Sequence, residues 1–191
     1  MVDARSRVAG RTRVTREKDN GNGGSVHPAE FGEDRLLESC DVRRQRRSGP
    51  GGQHRNKVET AVVLVHRPTG IRAEATERRS QHENRRVAVG RLRVSLALQV
   101  RRRRVLDEGP SPRWRSRCQN RRLRVNPSHE DFPALLAEAL DVLEQFDHDA
   151  RAAAGFLAVT TSQLVRFLKL EPRAFLWANE RRTACGRPRL L

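Results

Sequence analysis

The sequence has no apolar run of the roughly 18 residues that a bilayer-crossing helix takes. Its longest such runs, positions 61–65 among them, are only the length of a strand. Near its start it has no apolar h-region, so no secretory signal is expected. The first 16 residues are Arg-bearing and acid-poor, as in an organellar transit peptide, yet they lack a clear apolar face. Cysteine is scarce: Cys40, Cys118 and Cys185 lie far apart, in no C-x-x-C pair and no His/Cys cluster. That spacing argues against a zinc site or a disulfide framework, so no metal or cofactor is expected, and it fits a reducing compartment. There is no G-x-x-x-x-G-K-[ST] segment, which excludes a P-loop for ATP or GTP. Lysine occurs only at Lys18, Lys57 and Lys169.

What the chain has instead is arginine. Its 191 residues carry 39 basic and 23 acidic side chains, a net charge of +16. The excess is unevenly placed. Positions 126–191 hold 8 basic and 9 acidic residues, so positions 1–125 carry all of it. A charge block of that kind calls for a polyanion partner, with nucleic acid the default. A GC-rich genome would also raise arginine, but it would not spare the last third. Charge alone does not separate RNA from DNA.

Hydrophobic periodicity divides the chain into four parts, which suits one modest domain with extensions or two small ones. Positions 1–28, rich in Arg, Gly and Asn, show no period and are expected to be disordered. Positions 29–100 read as an α+β domain. A short helix spans 30–39, a strand runs over 42–47, and a loop with three glycines follows at 48–53. Positions 58–66 alternate as a β-branched strand, with Val58, Thr60, Val62 and Leu64 on one face. Pro68, Thr69 and Gly70 make a turn, and Ile71, Ala73 and Ala75 alternate as the second arm of a hairpin. Ser80 and Glu83 form a capping box that opens a helix to about position 100, with Arg85, Arg86, Arg91 and Arg93 facing outward. Positions 101–125 hold 10 arginines and the prolines Pro110 and Pro112, so they read as a basic linker or extended arm. Positions 126–191 show helical spacing from Leu135 to Phe146 and again from Thr161 to Leu170. Gly155 reads as a helix stop, Pro172 as a first-turn residue and Gly186 as a final stop, giving a subdomain of about three helices.

The chemistry-bearing feature is the loop. Gly51 and Gly52, followed by Gln53, permit close backbone approach to a ligand and positive φ. Arg43, Arg44, Arg46 and Arg47 precede it, and Arg55 and Lys57 follow. Alone, the tripeptide would read as an ordinary glycine loop in a basic domain. It is not alone. Positions 46–98 contain S-G-x-G-G-Q-H from Ser48 to His54. H-x-P-T-G follows at His66, Pro68, Thr69 and Gly70, then R-S-Q-x-x-N at Arg79, Ser80, Gln81 and Asn84.

Through those three motifs the stretch resembles the catalytic domain of class I peptide chain release factors. The resemblance covers about 55 residues and leaves the flanks unexplained. It implies that Gly51, Gly52 and Gln53 enter the peptidyl transferase centre of the large ribosomal subunit. There the Gln53 backbone N–H would stabilise charge developing on the peptidyl-tRNA ester, and the Gln53 side chain would help place water. It implies rRNA contacts for Arg46, Arg47, Arg55, Lys57, Arg79 and Gln81, and the basic arm adds Arg101, Arg102, Arg103 and Arg104. For Arg79 and Gln81 a structural contact is the equal alternative, while His66, Pro68, Thr69 and Gly70 shape the hairpin and Ser80 caps its helix. His27, His82, His129 and His148 show no ligand spacing and are expected at the surface.

Family members that read stop codons are about twice this length. About 47 residues precede Ser48 here, and neither P-x-T nor S-P-F occurs. The expected activity is therefore codon-independent hydrolysis of peptidyl-tRNA on stalled ribosomes, by a monomer in the bacterial cytoplasm rather than an organelle, without a membrane partner. Two rival readings stand beside it. One is a non-catalytic ribosome-binding factor that recruits a partner through its last helices; the other is a stop-codon release factor.

Overall fold

The computed structural model describes residues 26–45 and 60–191. Positions 1–25 and 46–59 lie outside the described residues, and with them the glycine loop and most of the start expected to be disordered at 1–28, whose last residues His27 and Pro28 are instead buried.

The order is mixed α and β. A 3-10 turn at Pro28–Glu30 leads to α1 (Glu33–Glu38), β1 (Cys40–Gln45), β2 (Ala61–His66), β3 (Arg72–Ala75) and α2 (Gln81–Gln99). Then come α3 (Pro112–Arg117), β4 (Cys118–Gln119), β5 (Arg122–Leu123), α4 (Phe132–Gln145), α5 (Ala150–Phe156), α6 (Thr161–Leu168) and α7 (Pro172–Ala184). β2 is the central strand of an antiparallel sheet ordered β1-β2-β3. The β2–β3 register pairs Val62 with Ala75 and Leu64 with Ala73, so these four side chains share the face covered by α2. α2 meets them with Ala88, Val89, Leu92 and Leu96, all buried at helical spacing. The hairpin turn closes as its residues require. Gly70 takes φ +70°, its N–H donates to the His66 carbonyl at 2.7 Å, and His66 Nδ1 shares a 2.8 Å hydrogen bond with Thr69 Oγ1.

The expected linker at 101–125 is folded. Pro110 and Pro112 do not keep it extended: Pro112 opens α3, where a proline lacks no needed N–H, and Ser111 Oγ caps it by accepting the Trp114 N–H. Trp114 is fully buried, meets Phe167 edge to face at 5.8 Å, and donates its indole N–H to the Leu157 carbonyl at 2.8 Å. Upstream of it, the chain runs along one stripe of α4. Glu138, Asp141 and Gln145 are spaced i, i+3, i+7 and therefore lie on one helix face. Glu138 accepts from the Ser111 N–H and hydroxyl, Asp141 Oδ1 accepts the Arg102 N–H, and Gln145 exchanges two hydrogen bonds with the Arg104 backbone.

α4 is buried along its length from Phe132 to Leu143, and it joins α2 to the later helices in a single core. The last region holds four helices among the described residues rather than about three. Gly155 does not stop a helix; it lies inside α5. The break falls at Asp147 and His148, which take φ of 48° and 57°, after which Asp149 caps α5 by accepting the Arg151 and Ala152 N–H groups. Gly186 does end α7, at φ +70°. No helix among the described residues is long and apolar enough to cross a membrane.

Candidate functional site

Gly51, Gly52 and Gln53, with Arg46, Arg47, Arg55 and Lys57, lie outside the described residues. What is described is the frame from which that segment departs. β1 ends and β2 begins as a register pair, Gln45 opposite Ala61, so both roots of the 46–60 connection leave the sheet at one end.

The C-terminal root is fastened by one side chain. Asn84, fully buried in the first turn of α2, donates from Nδ2 to the Thr60 carbonyl at 2.7 Å. The same Nδ2 donates to the Arg78 carbonyl at 2.9 Å, while Oδ1 accepts the Arg78 N–H at 2.9 Å. Three of an amide's four hydrogen-bonding sites are thus spent, two on the β3–α2 turn and one on the strand root. The local sequence explains why Asn84 can reach both. Ser80 starts the helix by accepting the Glu83 N–H, though at a long 3.4 Å, which sets the following residue to face the sheet. Of the R-S-Q-x-x-N motif, then, the last residue bonds the root of the segment at Thr60. The sequence reading assigned Asn84 no role, although a buried-side asparagine one turn into a capped helix was the available signal.

Arg79 is exposed, and among the described residues its guanidinium has no partner; Gln81 is half-buried. Arg43 and Arg44, which follow the buried Cys40 in β1, are exposed, as is Arg86 on α2. The other arginines of the expected outward face of α2 are engaged. Arg85 pairs with Glu33 at 3.1 Å, Arg91 pairs with Glu77, and Arg93 donates to the carbonyls of Ala29 and Glu130.

The arginines of the expected RNA arm divide in the same way. Arg101 and Arg104 both bind the carboxylate of Asp141, whose side chain is completely buried, and Arg104 adds Glu30 at 2.9 Å. Arg113 and Arg117 pair with Asp131. Arg101 also lies over the Trp177 ring, 4.9 Å from its centroid. These guanidiniums hold the fold together and are not laid out for a ligand; Arg103 alone of the first four is exposed. Burial pushes the Asp141 carboxyl up to about 6, with the two arginines pulling the other way, so it remains charged at neutral pH. Sequence periodicity missed the network because its acid lies about forty positions downstream.

His27 and His148, expected at the surface, are buried. His27 Nδ1 accepts the Ala29 N–H at 3.0 Å, and Nε2 meets the Val100 carbonyl at 3.2 Å. Burial, with Arg101 and Arg104 nearby, lowers its pKa to about 3, so it is a neutral packing residue. No group of three or more His, Cys, Asp or Glu among the described residues is placed to hold a metal ion.

Residues 37–129 match the RF-1 domain family model. Peptide chain release factor 1 of Rickettsia typhi is 36% identical over 103 residues, which is 53% of this chain and 29% of that protein. Peptide chain release factor 2 of Variovorax paradoxus is 52% identical over 62 residues, or 31% of this chain and 17% of that protein. Peptide chain release factor 1 of Acidiphilium cryptum is 54% identical over 56 residues. The chain thus spans less than a third of the length of these relatives, and α4 to α7 fall beyond the matched domain. Three motifs in order, the frame that carries them and these matches together make residues 37–129 similar to the RF-1 domain of class I release factors.

Proposed function

We propose that the protein hydrolyses the ester of peptidyl-tRNA on the ribosome without reading a codon. The observation that carries this is the intact Gly51-Gly52-Gln53 segment within a matched RF-1 domain, entering and leaving through the paired residues Gln45 and Ala61. The two glycines let the backbone come close to the tRNA end without a Cβ in the way. The segment offers no carboxylate or thiol, so its contribution is positioning and fixed dipoles. Water attacks the ester carbonyl while the Gln53 N–H donates to the oxyanion that forms. The carbonyl then re-forms as the tRNA hydroxyl leaves with a proton, and the peptide is released as the acid. The Gln53 side chain helps hold the water and exclude bulkier nucleophiles.

The partners in this reading are the large-subunit rRNA and the peptidyl-tRNA. Contacts come from Arg46, Arg47, Arg55, Lys57, Arg79, Gln81 and Arg103. The protein acts as a monomer in the bacterial cytoplasm and uses no cofactor. The helical module α4 to α7, which follows the RF-1 match, is the feature this reading sets against a decoding factor. The test is release from purified ribosomes with a stop codon, a sense codon or no codon in the A site. Rates within about threefold of one another are expected. A preference for the stop codon above about tenfold, which is about 1.4 kcal/mol, would make the protein a decoding factor.

A further inference from the structure

We propose that the groove between the β4–β5 hairpin and α6 binds the phosphate backbone of RNA. The groove has a volume of about 460 Å³, and its cationic groups are Arg122, Arg124 and Arg166. All three are exposed, and none makes an ion pair or side-chain hydrogen bond among the described residues. No carboxylate lines the groove.

That sets it apart from two other clefts among the described residues, which carry carboxylates beside their arginines. The cleft beside α2 mixes Arg86, Arg91 and Arg93 with Glu33, Glu83 and Glu130. The one beside 102–112 sets Arg102, Arg103 and Arg104 against Glu30, Glu108 and Glu138. Three uncompensated guanidiniums around one hollow repel one another until an anion enters. The local fold holds them there. Arg122 and Arg124 alternate with the half-buried Leu123 and Val125, so the hairpin anchors its apolar residues inward and turns both arginines to solvent. Arg166 comes from the exposed side of α6, between the buried Leu164 and Phe167.

The chemistry suits a phosphodiester chain read without regard to base. Guanidinium forks match phosphate oxygens two at a time. The one aromatic side chain in the groove, Phe167, is turned inward against Trp114 and Phe132, so no ring face is free to stack on a base. The choice of RNA among polyanions rests on the ribosomal reading; the anion site itself does not.

The probe is a fluorescein-labelled twelve-nucleotide oligo(U), titrated with the full chain across a salt series, with a poly-glutamate peptide as competitor. Peptide release is measured separately, so that loss of the groove and loss of the hydrolase reading show as different results. Arg122→Gln, Arg124→Gln and Arg166→Gln together should reduce the slope of log affinity against log salt by about 2, at about 0.7 per phosphate contact. Melting temperature and release at saturating protein should stay unchanged. Arg151→Gln with Arg189→Gln removes two exposed charges elsewhere on the helical module and should leave the slope nearly as it was. The proposal is overturned if the triple variant keeps the wild-type slope, or if the control pair lowers it equally per charge. It is also overturned if poly-glutamate displaces the RNA at equal charge concentration.

Discussion

Asn84 holds the carbonyl of Thr60 at 2.7 Å across 24 positions of chain, so the first turn of α2 and the root of the glycine segment move together. Asn84→Asp keeps the shape but removes both Nδ2–H donors, leaving the Thr60 and Arg78 carbonyls without that partner. The expected cost is about 1–3 kcal/mol of stability per unsatisfied buried group. If Asn84 also positions the segment, the rate of release at saturating ribosomes should fall more than tenfold at a temperature where the variant remains folded, while ribosome affinity changes little. A variant that is merely less stable would release at the wild-type rate once folded.

The Arg101–Asp141–Arg104 cluster yields a prediction opposite to the one a basic arm suggests. Arg104→Gln should cost about 3–5 kcal/mol, because it leaves Asp141 short of a partner inside the protein. Arg103→Gln, at an exposed position, should stay within about 0.5 kcal/mol. Denaturant unfolding of the two variants distinguishes them. Equal midpoints would mean that the buried cluster contributes little.

Trp114 is the anchor that folds the 101–125 stretch. Trp114→Ala should destabilise by about 3–5 kcal/mol through the cavity and the lost bond to Leu157. Near-neutral behaviour in thermal unfolding would return the stretch to the status of a linker.

His27 supplies a pH dependence. Folded, it is held neutral with a pKa of about 3; unfolded, it takes a proton near 6.5. Below pH 6.5 the unfolded chain therefore binds the extra proton, and stability falls with acid at up to about 1.4 kcal/mol per pH unit. The contribution is fully present above 6.5 and is lost progressively toward 3. Asp141 opposes it below about 6, since there the folded state takes the proton first. The comparison with His27→Gln isolates the histidine. As pH falls from 6.5 to 5 the variant should gain stability relative to wild type, the gap widening by up to about 1.4 kcal/mol per pH unit, and parallel curves would contradict a buried neutral His27.

The hairpin and its helix were legible because their signals are local. Alternation at Val62 and Leu64, a glycine at φ +70° and a serine cap each act within a few residues. The folding of 101–125 was not legible, because what folds it is remote: Glu138, Asp141 and Gln145 on α4, and Leu157 for the Trp114 indole. A run of arginines reads as solvated until its acids are known. The break between α4 and α5 was hidden for another reason, since Asp147 and His148 adopt the left-handed region that sequence reading assigns to glycine. The glycine segment was legible as a motif, while its clamp at Asn84 needed the fold.

The most direct test of the proposed chemistry is peptide release from purified ribosomes carrying peptidyl-tRNA, by the wild type and by Gln53→Ala at equal ribosome occupancy. Wild-type protein should release the peptide, and the variant should be about 10²–10³-fold slower with its melting temperature unchanged, the loss expected when an oriented transition-state group is removed. Release by Gln53→Ala at the wild-type rate, or no release by the wild type on any ribosome, would contradict the hydrolase assignment.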